Sequence, residues 1–68
     1  MVGQRIKTYL EEHGLIAKFV AEKVEIPYQQ FMGILNGTRK IELMEYCRIC
    51  KFLKVDLKKF ISEAKTEI

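Results

Sequence analysis

An all-α domain of five short helices is the fold class this sequence predicts. Three observations carry the prediction. Apolar residues recur at helical spacing along most of the chain, and clean apolar/polar alternation never runs between turn residues. Gly14 and Asn36-Gly37 are helix stops, and the single proline, Pro27, suits a helix start. With 68 residues there is room for one domain, 1–68, with its core expected over 3–61 and a frayed tail at 62–68. A chain of this size buries only about 60% of its unfolded surface, so its core must be tightly packed or helped by a partner.

The first helix is expected from Gly3 to His13, with Ile6, Tyr9 and Leu10 on one face and Gly14 as its left-handed stop. The second covers about Ile16 to Val24, with Phe19, Val20 and Lys23-Val24 on the same period. Glu25-Ile26 makes a tight link. The third runs from Pro27 to about Leu35, with Phe31, Ile34 and Leu35 inward, and Asn36-Gly37 ends it. After the polar loop Thr38-Arg39-Lys40, a fourth helix is expected from Ile41 to Leu53. It is apolar most of the way round, the pattern of a central helix buried on several sides. Asp56 is a good N-cap for a fifth helix over Leu57–Ala64, with Leu57, Phe60 and Ile61 inward.

Composition narrows the function classes. Hydrophobic residues make up 49% and charged residues 31%, which is globular composition. No apolar run approaches the roughly 20 residues that span a bilayer, and MVGQRIKTYLEE lacks the apolar stretch of a signal peptide. Two cysteines are too few for a secreted disulfide scaffold. A cytoplasmic protein is therefore expected, with no membrane partner. Twelve basic residues face nine acidic ones, a net charge of +3. Residues 1–13 are neutral, 14–40 carry +2 and 41–68 carry +1. That balance permits nucleic acid without requiring it.

The second and third helices are joined by two or three residues, a link that forces a sharp crossing. Residues 14–40, GLIAKFVAEKVEIPYQQFMGILNGTRK, resemble the core of the Cro/repressor-type (Xre-like) helix-turn-helix family. That family's usual run is Gly-Leu-Ser-Gln-x-x-Leu-Ala-x-x-x-Gly-Val-Ser, a recognition helix, then Asn-Gly and a basic loop. Gly14-Leu15 opens the match, Val20-Ala21 takes the Leu-Ala place, Ile26 the Val place, and Phe31 and Ile34 the buried places of the recognition helix. Asn36-Gly37 closes it without a gap, and Phe52-Leu53-Lys54-Val55-Asp56-Leu57 continues it, so the resemblance covers roughly residues 3–61. Three positions depart from the pattern. Ala17 stands where the family often has a phosphate-contacting Gln, Glu25 replaces the turn Gly and suggests a different turn conformation, and Pro27 replaces the capping Ser.

The resemblance implies a lambda-repressor-like domain that binds duplex DNA at a palindromic operator, as a homodimer. It would act as a small transcriptional repressor of phage or bacterial origin, by occupying its operator. In such a domain the first turn of the second motif helix enters the major groove. Tyr28, Gln29, Gln30 and Gly33 are then the base-reading candidates, with a Gln suited to adenine in an A·T pair. Lys18, Thr38, Arg39 and Lys40 are the phosphate candidates. Each has a plainer reading: solvated surface for the glutamines, ordinary loop charge for Arg39-Lys40. Gly33 fits a close approach to DNA or protein, or equally a neutral residue that weakens the helix by about 1 kcal/mol.

Cys47-Arg48-Ile49-Cys50 is a CxxC, but mid-helix and with His13 as the one histidine, so core packing is favoured over redox or metal chemistry. No nucleophile, base and oxyanion donors assemble, and no enzyme, cofactor, metal or small-molecule effector is expected. Tyr46 and Phe52 exceed one buried stripe. They fit packing on helix one or five, or a dimer face with Phe60, Ile61 and Ile68. The alternative function is a helix-turn-helix protein-interaction module that has lost DNA binding.

Overall fold

Every regular element among residues 2–61, which the computed structural model describes, is α-helical. α1 spans Val2–Glu12, α2 Ala17–Lys23, α3 Tyr28–Asn36 and α4 Leu43–Leu53. The expected bounds of these four lie within two residues of the observed ones. The fifth expected helix differs. Residues 57–61 form turns, and 62–64 lie outside the described residues, as does Ile68. The reason is local competition for backbone groups. The Asp56 carboxylate accepts from Lys58 N–H at 2.8 Å, which tightens the first turn. The Tyr46 hydroxyl donates to the Leu57 carbonyl and accepts from Phe60 N–H, two groups that an α-helix here would use in its own ladder.

The helices end in one repeated device. At Gly14, Glu25, Gly37 and Lys54 the backbone takes positive φ: 65°, 62°, 83° and 59°. The next residue's N–H then bonds back five residues: Leu15 to Leu10, Ile26 to Ala21, Thr38 to Gly33 and Val55 to Cys50, at 2.8–3.0 Å. Such bonds satisfy carbonyls that the helix end orphans. Glu25 is the informative case. A different turn was expected because the family's glycine is missing, yet Glu25 adopts the left-handed conformation itself. A side chain there costs about 1–2 kcal/mol.

One apolar cluster joins the elements. Ile6 and Leu10 of α1 meet Val20 and Ala21 of α2, Phe31 and Leu35 of α3, and Ile49 and Cys50 of α4. Val24 and Ile26 from the α2–α3 link, Tyr46 of α4 and Phe60 complete it. Ala21 is small where α2 and α3 cross. α1 and α3 touch at backbone distance: a Cβ on Gly3 would overlap the Ile34 carbonyl oxygen and come within 2.9 Å of its carbon. Lys7 Nζ reaches Asn36 Oδ1 at 3.5 Å across the same contact.

α4 is less enclosed than its composition suggested. Tyr46, Ile49 and Cys50 are buried, but Leu43 and Met44 are 74% and 68% exposed. Glu45 and Tyr46 take the buried side of the first turn of α4 and leave Leu43 and Met44 on its uncovered side, so apolar character there does not report burial. Phe19, expected inward on α2, is half exposed and meets Phe52 edge to face at 6.2 Å. Phe52 thus packs on α2, rather than on helix one or five. Tyr46 packs on the 57–61 segment, its ring 6.4 Å from Phe60.

Glu25→Gly is expected to stabilise the chain by about 0.5–1 kcal/mol, the left-handed strain relieved less the entropy glycine adds to the unfolded state. A higher urea midpoint at unchanged slope would show it. Gly3→Ala is expected to cost about 2 kcal/mol, because two backbones must separate. A thermal melt lowered by roughly 8–16 °C checks it.

Candidate functional site

α3 begins without a side-chain cap, since Pro27 stands at its N-cap with φ −52° and ψ 140°. Its buried face is set by Phe31, Ile34 and Leu35. Helical spacing then turns Tyr28, Gln29 and Gln30 to solvent together, and all three are exposed. The first turn of α3 is therefore a small uncharged surface with two amides and one phenol. Lys18 is exposed on the first turn of α2, beside Ala17.

Residues 37–40 fold back over the last turn of α3. The Gly33 carbonyl accepts Thr38 N–H at 2.9 Å, Arg39 N–H at 3.2 Å and the Thr38 hydroxyl at 3.3 Å. A Cβ on Gly33 would lie 3.3 Å from Arg39 Cβ and 3.4 Å from Thr38 Oγ1. The close approach that Gly33 permits is thus to the chain's own loop. Thr38 and Lys40 remain exposed at its surface.

Arg39 has a partner that sequence reasoning did not assign. Its guanidinium faces Glu45 of α4 fork to fork, Nη1 to Oε1 at 3.1 Å and Nη2 to Oε2 at 2.9 Å. Glu45 is buried, and its Oε1 also accepts Glu42 N–H at 3.0 Å, which caps α4. The hydrogen-bonded guanidinium holds the Glu45 carboxyl below its ordinary value of 4.5, against the opposing effect of burial. The carboxylate in turn raises the already high pKa of Arg39.

Arg48, one turn further along α4, donates from Nε to the Val24 carbonyl at 2.9 Å. Val24 ends α2, so this bond fixes the link that precedes α3. Neither Glu45 nor Arg48 was a candidate in the sequence. The only available signal was their i, i+3 spacing, which places both on one face of α4.

Other groups have structural partners. Cys50 lies in the core and burial pushes its thiol pKa up, while Cys47 is half-buried; both are free. The Tyr46 hydroxyl is pushed up to about 12, chiefly by burial, so it stays a donor. His13 stacks on Tyr9 at 4.0 Å, with Nδ1 2.9 Å from the Tyr9 carbonyl. Among the described residues no group of three or more His, Cys, Asp or Glu is placed to hold a metal ion, and no helix is long and apolar enough to cross a membrane. An apolar groove of about 440 Å³ lies between Val2, Ile41, Leu43, Tyr46, Leu57 and Ile61. Comparison with protein-family models, curated proteins and solved structures found no match.

Glu45 binds its proton less readily folded than unfolded, so acid favours unfolding. Its stabilising contribution is full above about pH 4.5, its ordinary value, and is lost as pH falls through the lower folded value. Urea unfolding from pH 6 to pH 2 is expected to show a smaller loss of stability in Glu45→Gln than in wild type.

Proposed function

We propose that this chain is a helix-turn-helix domain of the Cro/repressor type that binds duplex DNA in a sequence-dependent way and regulates transcription. The observation that carries the reading is the first turn of α3. Tyr28, Gln29 and Gln30 stand exposed together at the start of a helix whose other face is locked into the core. The resemblance assigns base reading to that position, and a glutamine can make a bidentate pair with adenine. The Glu25 turn supports the same reading, since it keeps the left-handed conformation that the family's glycine provides. Lys18 and Lys40 supply phosphate contacts at the flanks, while Thr38 gives both its N–H and its hydroxyl to the Gly33 carbonyl. Gly33 acts by letting the 38–40 loop close over α3.

One subunit offers a small reading surface, so a homodimer on a palindrome completes the proposal. The apolar groove supports a second copy, because Leu43 and Leu57 in its lining are left exposed. Operator occupancy is the mechanism, and the cytoplasm the place.

A protein-interaction module is the second reading. It is favoured by the absence of charge on α3 and by the engagement of Arg39 with Glu45.

Selection of duplexes from a random pool, at near-physiological salt, tests the proposal. The expected result is an enriched palindrome with an A·T pair in each half-site. Gln29→Ala or Gln30→Ala should relax that pair, at a cost of about 1–3 kcal/mol in discrimination. No enrichment by the folded chain would transfer support to the protein-partner reading.

A further inference from the structure

We infer that Arg39 and Glu45 are positioning residues: their fork holds the Thr38–Lys40 loop in the shape that sets Lys40 against phosphate. This rests on the DNA-binding reading above. Four observations meet at the loop. The fork has two short, parallel hydrogen bonds, 3.1 and 2.9 Å, and its carboxylate end is buried. Glu45 belongs to α4 and also holds Glu42 N–H, so the loop is tied to a rigid helix terminus. At the other side, the Gly33 carbonyl collects three donors from Thr38 and Arg39. A Cβ at position 33 would press on the loop, 3.3 Å from Arg39 Cβ.

The loop is therefore clamped between α3 and α4 through Arg39, while Lys40 and Thr38 face solvent. A planar guanidinium suits the clamp because it matches a carboxylate at two points. An ammonium cannot do so. A clamped loop loses less conformational freedom on binding, which favours affinity without adding a contact.

A strut and a phosphate ligand differ in sign. The full chain is titrated with a short mixed-sequence duplex over a range of salt concentrations. For a strut, Arg39→Gln and Glu45→Gln both weaken binding by roughly tenfold or less, the double variant is no worse than either, and the salt slope stays as in wild type. Lys40→Ala instead lowers the slope by about 0.9, one phosphate contact. Arg39→Lys does not rescue.

The proposal is overturned if Glu45→Gln tightens binding and steepens the slope, as a guanidinium released to phosphate would do. Rescue by Arg39→Lys overturns it as well. Amide exchange provides an arm that needs no DNA. Glu45→Gln should speed exchange at Thr38 and Arg39 N–H while Ile49 N–H keeps its protection; unchanged exchange in the loop would sink the strut. A wild-type chain that binds no duplex would defeat the functional reading, and the exchange arm would still decide whether the fork orders the loop.

Discussion

Two side chains one turn apart on α4 hold both flanks of α3. Arg48 donates to the Val24 carbonyl in the link before α3, and Glu45 pairs with Arg39 in the loop after it. Residues three apart lie on one helix face, so a single face of α4 reaches both places. α3 is also wedged against α1 at Gly3, where no side chain separates the backbones. Its inner face is therefore fixed by packing, and its two ends by polar bonds. What remains free is the outer face of its first turn. A buried carboxylate without partners is costly. Glu45 escapes that cost because its oxygens meet a guanidinium and a backbone N–H.

Backbone geometry supports the same arrangement. Four helix ends, at Gly14, Glu25, Gly37 and Lys54, use a left-handed residue and a bond back to the final turn. Two of the four are not glycine. Such strain persists where the surrounding structure over-determines the conformation. At Glu25 the determinants are visible: Ile26 is buried directly after it, Val24 before it, and Arg48 grips the Val24 carbonyl. The turn thus takes the left-handed conformation without a glycine.

The helices were legible because burial at helical spacing is a property of single positions. Phe31, Ile34 and Leu35 turned inward as spaced, and Tyr28, Gln29 and Gln30 consequently turned out. Gly37 was legible for the same reason, as a residue suited to one backbone state. Pairwise facts were not. Nothing in the sequence couples Arg48 to Val24, 24 positions away. Arg39 reads as loop charge until Glu45 is set opposite it. Tyr46 reads as surplus apolar surface until its hydroxyl takes the backbone groups of Leu57 and Phe60, and with them the helix expected there. Leu43 and Met44 misled in the other direction, since apolar character says nothing of whether a neighbour arrives to cover it.

The central proposal is that α3, held on its inner face and at both ends, presents its uncharged first turn, flanked by a clamped basic loop, to duplex DNA. The most direct test is a nuclear magnetic resonance titration of the folded chain with a mixed-sequence duplex at low salt. The expected result is shift changes concentrated at the side-chain amides of Gln29 and Gln30 and at the backbone amides of Thr38 and Lys40. Changes confined to Leu43, Met44 and Leu57, or no changes at all, would contradict it.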